Sequence, residues 1–292
     1  MRYKLLDDAF SSQDIEKGIK VLKSKQITMS KETKNFEKNF ARKVGAKYAL
    51  MVNSGSSANL IALFSSINPL QKNPLKKGDE VIIPAICWST SLWPIIQAGL
   101  KPIFVDVDLD TLNISIKDLE KKISKKTKAI MCVHILGLST DMTKIQSICK
   151  KKKLMLFEDT CESLGTTYNK KHLGTFGDYG MYSFYYPHQI TSGEGGMVVC
   201  GSEKNYNILK SLRSHGWSRD TKFHKDIVKK YKNLDENFLF INSGFNLRPT
   251  DIQAAIGNNQ LKRLDKFINI RNENRKKIIN CLKKSPKWNS QF

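Results

Sequence analysis

The sequence predicts an α/β protein of three layers, with helices on both faces of a mixed, mainly parallel sheet. Three observations point there. Short apolar runs alternate with amphipathic stretches from residue 31 onward, the pattern of strands buried on both faces. Gly45, Pro84 and Gly99 close successive segments, as helix stops and strand ends require. After Tyr179 the rhythm changes, because Met181 to Tyr185 and Met197 to Cys200 read as strands with only a loop between them.

The opening segment reads as helix and turn, ending near Met29. Residues 31 to 45 then predict an amphipathic helix, with Phe36, Phe40 and Val44 spaced by four. Strands are expected over 48–52, 80–83, 102–106, 129–133 and 154–157, with helices over 58–66, 90–98, 116–123 and 142–150 between them. A helix over 203–213 follows the two late strands. Residues 222–238 form a lysine-rich insertion of no clear type, and one long helix is expected from Pro249 past Arg275.

Composition narrows the function. The 292 residues are 40% apolar and 9% aromatic, which fits a globular protein able to bury a core. No run of 18 apolar residues appears, and the charged first 20 residues carry no apolar block of a signal peptide. Six scattered cysteines fit a reducing, cytoplasmic setting better than a disulfide scaffold. The net charge of +22 invites a nucleic-acid reading, but 41 of the 49 basic residues are lysine, in short helix-like runs. Arginine is the residue that reads phosphates and bases bidentately. A lysine-covered, solvated surface explains the charge, and no zinc-finger spacing or aromatic stacking platform accompanies it.

Four segments could carry chemistry. Ser54-Gly55-Ser56-Ser57 joins a strand to a helix and could offer N–H groups and hydroxyls to a phosphate, or simply cap the helix. It lacks the ending of a P-loop and the repeated glycines of a dinucleotide fingerprint. Asp159 follows an apolar strand, where ligands of open α/β sheets bind; a carboxylate there could hold a protonated ring nitrogen or act as a structural cap. His188 lies in an irregular stretch between Ser183 and Gly196 that is rich in aromatic, hydroxyl and glycine residues. Finally, His215-Gly-Trp217-Ser-Arg219 and Asn246-Leu-Arg248-Pro-Thr250 precede a helix start that could take an anion.

Together these segments resemble the DegT/DnrJ/EryC1/StrS sugar aminotransferase family, of pyridoxal-phosphate fold type I, over roughly residues 10 to 285. Gly55-Ser56-Ser57 is similar to its phosphate turn. Residues 158–163, Glu-Asp-Thr-Cys-Glu-Ser, are similar to the segment whose aspartate meets the cofactor ring nitrogen. Residues 246–257, starting Asn-Leu-Arg-Pro-Thr-Asp, match its late motif. One departure matters most. The aminotransferases hold their cofactor on a lysine at the position of His188, and this lysine-rich chain has none between Lys171 and Lys204.

A histidine there resembles the 3-dehydratase branch, which uses pyridoxamine 5'-phosphate to deoxygenate a nucleotide-linked 4-keto-6-deoxy sugar. The branch implies His188, Asp159 and His215 as catalytic residues. It implies Gly55, Ser56, Ser57, Trp88, Asp159, Glu162, Ser183 and Asn246 as contacts to pyridoxal or pyridoxamine 5'-phosphate, with Asn246 reaching over from a second copy. Trp217, Arg219 and Arg248 are implied on the substrate. A subgroup acting on CDP-sugars carries an iron–sulfur cluster. The absence of cysteine between Cys200 and Cys281 argues against a cluster and favours a GDP-linked keto sugar. No metal is expected. L-glutamate would restore the amino cofactor, and a homodimer with shared sites is implied, with neither nucleic acid nor membrane as partner. A CDP-sugar dehydratase, an aminotransferase and an inactive relative are the alternatives. The expected division is a cofactor-binding domain over 1–248 and a linking helix over 249–292. Ser285-Pro286-Lys287-Trp288 reads like the start of a further small domain, apparently truncated, which would leave Leu261, Leu264, Phe267 and Ile268 partly uncovered.

Overall fold

The computed structural model of the chain describes residues 9–285. The beginning of the first segment and the Pro286-Lys287-Trp288 part of the expected module start lie outside those residues. In chain order the helices are α1 Ser12–Ser24, α2 Lys31–Val44, α3 Gly55–Ser66, α4 Ser89–Gln97, α5 Ile116–Lys122, α6 Met142–Lys152, α7 Glu203–Arg213, α8 His224–Lys230, α9 Asp251–Leu261 and α10 Leu264–Lys283. The strands are β1 Tyr48–Val52, β2 Glu80–Pro84, β3 Lys101–Val105, β4 Thr127–Val133, β5 Met155–Asp159, β6 Thr167–Tyr168, β7 Lys171–His172, β8 Tyr179–Ser183 and β9 Gly196–Cys200.

Seven strands form one sheet in the order β1-β9-β8-β5-β4-β2-β3, and β6 and β7 form a small hairpin apart from it. β2, β3, β4, β5 and β8 pair in parallel, while β9 is antiparallel to both its neighbours. The mixed sheet expected from the loop-only β8–β9 connection is therefore present, and the reversed strand is β9.

Both sheet faces are covered. Leu50, Val52, Ile83, Met131 and Phe157 meet α3, α4 and α7 on one face. On the other, Met51, Tyr182 and Val199 meet α2 and α9, and Ile82, Ile130 and Leu156 meet α5 and α6. The alternation of Leu50 and Val52 against Ala49 and Met51 follows from the two-residue period of a strand. Phe36 and Phe40, one turn apart on α2, pack edge-on to each other, and Phe40 packs edge-on to Phe184 and Tyr182.

Several boundaries differ from expectation. α3 begins at Gly55 rather than Ala58, because Ser54 caps it. β5 runs through Asp159, so that residue ends the strand instead of following it. The 222–238 insertion contains α8 and a 3₁₀ turn at Glu236–Phe238. The single last helix is two, α9 and α10. The break falls where Asn259, Gln260 and Arg263 all turn their side chains onto the buried carboxylate of Asp14 in α1. Leu261 and Leu264 are buried, contrary to expectation, against the core that α2 shares with α9; Phe267 and Ile268 are partly buried there.

Candidate active site at the sheet edge

Three strand ends meet at one edge of the sheet. The pairing of β1, β9 and β8 sets Val52, Gly196 and Ser183 side by side, and the pairing of β5 with β8 sets Asp159 beside Met181. At this edge β1 turns into α3, β5 ends on Asp159, and β8 leaves toward His188. Topology thus gathers Ser54 to Ser57, Asp159 and the His188 turn from stretches far apart in sequence.

The turn into α3 is built for close approach. The Ser54 hydroxyl accepts from the Ser57 N–H at 3.1 Å and donates to the Ser57 hydroxyl at 2.9 Å. The N–H groups of Gly55 and Ser56 belong to the first helical turn, which has no intrahelical acceptors for them. A Cβ at Gly55 would lie 2.6 Å from Ser183 Cβ and 3.0 Å from Cys161 Sγ; one at Gly196 would lie 2.2 Å from the Ser54 carbonyl oxygen. Glycine at both positions lets β8, β9 and the segment after Asp159 close around the turn. Ser56 is exposed, and its hydroxyl donates to Thr90 Oγ1 at 3.0 Å.

Asp159 is buried, and its carboxylate is held on both oxygens. Oδ2 accepts from Asn59 Nδ2 and from Ser91 Oγ, each at 2.7 Å, and Oδ1 accepts from the Cys161 N–H at 3.1 Å. Nδ2 of Asn59 also donates to the Thr90 carbonyl at 3.3 Å. Both neighbours of that nitrogen are acceptors, so the amide must face them nitrogen first. The orientation leaves Asn59 Oδ1 buried without a partner, a cost of about 1–3 kcal/mol. Neighbouring Glu158 has a structural role: its fully buried carboxylate accepts from the N–H groups of Gly174, Phe176 and Gly177.

His188 sits five residues beyond Ser183, half-buried, its N–H bonded to the Tyr185 carbonyl at 3.0 Å and its ring edge-on to Tyr185. Nδ1 is buried without a partner. Burial holds the imidazole below its usual value, aided by Arg271; the backbone of Ser183 and the carboxylates of Glu162 and Asp159 pull the other way. The result is a neutral ring near pH 7, able to accept a proton. Glu162 is exposed at the mouth, where its carboxylate accepts from the Leu136 N–H at 3.0 Å and its carbonyl from the Gln189 side chain. Trp88 precedes α4 and is 71% exposed.

The remaining candidates lie along a strip that runs back beside α3. The Leu247 carbonyl accepts from the Asn53 N–H at 3.1 Å, so the strip reaches the Ser54–Ser57 turn there. Its exposed neighbours Asn246 and Arg248 are joined by a 3.0 Å hydrogen bond. At the other end Asn242 bonds Asn68, just past the C-terminus of α3. Trp217 and Arg219 gather toward that far end: Gly216 packs on Asn242, Trp217 on Phe240, and the Arg219 guanidinium lies 3.8 Å from the Trp217 ring centre; His215 lies between the two ends, after Ser214, which bridges Asn246. His215 takes a left-handed backbone, φ 61°, with its N–H on the Phe245 carbonyl.

Asn59 and Ser91 were not among the residues singled out from the sequence. Asn59 was readable as one amide in the apolar stretch Ala58-Asn-Leu-Ile-Ala-Leu63. Ser91 resembles any serine in a first helical turn. Among the described residues no group of three or more His, Cys, Asp or Glu side chains is placed to hold a metal ion.

Known proteins agree with this architecture. A family model for the DegT/DnrJ/EryC1/StrS aminotransferases matches residues 9–291. GDP-4-keto-6-deoxy-D-mannose 3-dehydratase of Escherichia coli O55:H7 is 40% identical over 288 residues, covering 98% of this chain and 74% of that protein. A solved structure of GDP-4-keto-6-deoxymannose-3-dehydratase with a trapped PLP–glutamate geminal diamine superposes with a TM-score of 0.91 at 39% identity, covering 98% of this chain and 74% of the other. A histidine-to-asparagine variant of such an enzyme with bound GDP-perosamine gives 0.89 at 38% identity, again over 98% and 74%. With a model match over nearly its whole length and relatives this similar, the chain belongs to the DegT/DnrJ/EryC1/StrS aminotransferase family.

Proposed function

We propose that the chain removes the C3 hydroxyl of GDP-4-keto-6-deoxymannose with pyridoxamine 5'-phosphate, a step toward 3,6-dideoxy sugars of surface polysaccharide. The observation that carries this reading is His188 in the turn between β8 and β9, in a stretch from Lys171 to Lys204 that holds no lysine. The similar dehydratases bound to a PLP–glutamate adduct and to a GDP-sugar support the cofactor, the amino donor L-glutamate and the substrate.

The residues present fit such a cofactor. Gly55 and Gly196 let Ser183 and β9 close directly on the Ser54–Ser57 turn, and α3 presents its N-terminal N–H groups and serine hydroxyls there, an environment suited to a phosphate. Ser56, Ser57 and Ser183, with Asn246 of the partner subunit, would hold that phosphate. Asp159 would accept from the ring N–H on Oδ1, and Trp88 and Glu162 would flank the ring. The cofactor, when bound, supplies an amine for the C4 ketone and a ring that accepts electrons. His188 does the proton work: its neutral imidazole takes a proton as general base, then returns it to the C3 hydroxyl, which leaves as water. His215, Trp217, Arg219 and Arg248 would reach substrate, as the resemblance implies for a homodimer with shared sites. In the same proposal, residues 1–248 are the cofactor-binding domain and 249–292 a linking helical segment. A nucleotide-sugar substrate places the enzyme in the cytoplasm; among the described residues no helix is long and apolar enough to cross a membrane.

Borohydride distinguishes this from transamination on a lysine. Wild-type protein loaded with pyridoxal phosphate is expected to show no covalent label in mass spectrometry, whereas His188→Lys is expected to trap one cofactor per chain. A labelled wild type would contradict the reading.

A further inference from the structure

We infer that Asn59 and Ser91 are positioning residues that aim Asp159 at the ring nitrogen of the cofactor and tie the ring, phosphate and stacking parts of the site into one unit. The inference rests on the reading of Asp159 above and adds to it two residues from α3 and α4.

Both donors are almost wholly buried, and both converge on the same carboxylate oxygen at 2.7 Å. Two donors from two different helices fix a carboxylate's plane in a way that one cannot. With Oδ2 occupied, Oδ1 is the oxygen left to face a ligand; its one protein donor is the Cys161 N–H at 3.1 Å, and a carboxylate oxygen accepts more than one bond. The same atoms reach the rest of the cradle. Asn59 lies one helical turn after Gly55, so the helix that presents the phosphate turn also presents the amide. Its Nδ2 grips the Thr90 carbonyl, and Thr90 Oγ1 receives the Ser56 hydroxyl. Ser91 lies three residues after Trp88, and its N–H donates to the Trp88 carbonyl at 2.9 Å. The position of the exposed indole is therefore set by a helix start fastened to Asp159. The unpartnered Asn59 Oδ1 fits this arrangement: packing alone would be served better by an apolar side chain there.

The test compares pyridoxal 5'-phosphate with its 1-deaza analogue, in which carbon replaces the ring nitrogen. Dissociation constants of both are measured by absorbance titration on the full chain, for wild type, Ser91→Ala, Asn59→Leu and the conservative Ser91→Thr. Wild type is expected to prefer the natural cofactor by about tenfold or more, the scale of a hydrogen bond to a charged group. Ser91→Ala and Asn59→Leu are each expected to shrink that preference by about threefold or more while changing affinity for the deaza analogue less than about twofold, again on the scale of single hydrogen bonds. Ser91→Thr, which keeps the hydroxyl, should retain the wild-type preference. Equal weakening of both ligands, or an unchanged preference in Ser91→Ala and Asn59→Leu, would overturn the inference and leave the dehydratase reading intact. A wild type without preference would overturn the assignment of Asp159 and this inference together, whatever the turnover.

Discussion

At the scale of single residues, the proposed reaction requires that His188 be neutral to take a proton and close enough to the other groups to use it. Its half-burial lowers its proton affinity, so the imidazole of the ligand-free protein is expected to titrate below 6.5 by NMR; a midpoint above 6.5 would contradict the burial argument. The sign carries to stability. The unfolded chain binds this proton more tightly than the folded one, so stability falls as pH drops from just above 6.5 through the lowered folded value, and is unaffected at higher pH. Replacing His188 by asparagine keeps a polar side chain but removes the base, and kcat is expected to drop about 10²-fold or more. Asp159, His188 and Ser56 were legible in the sequence because each sits where a strand gives way to a loop, within a segment unusual in its residues. Asn59 stood out only as one amide in an apolar stretch and Ser91 not at all, because the meaning of both depends on a carboxylate 100 and 68 residues away. Nothing local separates a serine that aims a catalytic group from one that solvates a helix.

At the scale of elements, the late motif that helps mark the family is in good part mechanical. Thr250 and Gln253 cap α9 reciprocally. The Asp251 carboxylate accepts the N–H groups of Ser30, Glu32 and Thr33, and the Thr33 hydroxyl. Ser30 makes no side-chain cap of its own, so α2 borrows its cap from α9. Asp251→Ala would strand three N–H groups, and chemical denaturation is expected to show a loss of about 2–4 kcal/mol, several net hydrogen bonds; a change under about 0.5 kcal/mol, the size of an ordinary surface substitution, would refute the cap. Gly257→Ala tests the same crossing, because the new Cβ would lie 2.7 Å from Phe36 Cε1; overpacking of this kind is expected to cost about 1–3 kcal/mol in the same assay. Strand and helix positions were readable to within a few residues from apolar rhythm and from Gly45, Pro84 and Gly99. The division of the last helix was not, because its apolar pattern runs on unbroken and the break depends on Asp14, 249 residues before Arg263.

At the scale of the whole molecule, strand order decides everything about the site. The sequence announces strands one after another, but β9 inserts between β1 and β8, and only that insertion brings Gly196 against Ser54. No local pattern specifies it. The proposed dimer is also a whole-molecule statement. Trp217 and the half-exposed Phe240 form an apolar surface at the far end of α3, and in the proposal a second chain pairs so that His215 and Arg219 serve its site. Mixing Asn246→Ala chains with His188→Asn chains is expected to restore part of the activity, since one of the two sites in the heterodimer has both residues intact. Verified heterodimers without recovery would place each site within one chain. The central claim is narrower than the dimer: a histidine in the lysine position turns an aminotransferase framework to dehydration. Its most direct test is the nitrogen balance of the reaction. With GDP-4-keto-6-deoxymannose, L-glutamate and pyridoxal phosphate, the protein is predicted to release one ammonia for each sugar that loses its C3 hydroxyl. A 4-amino sugar formed without ammonia, its C3 hydroxyl retained, would contradict the claim.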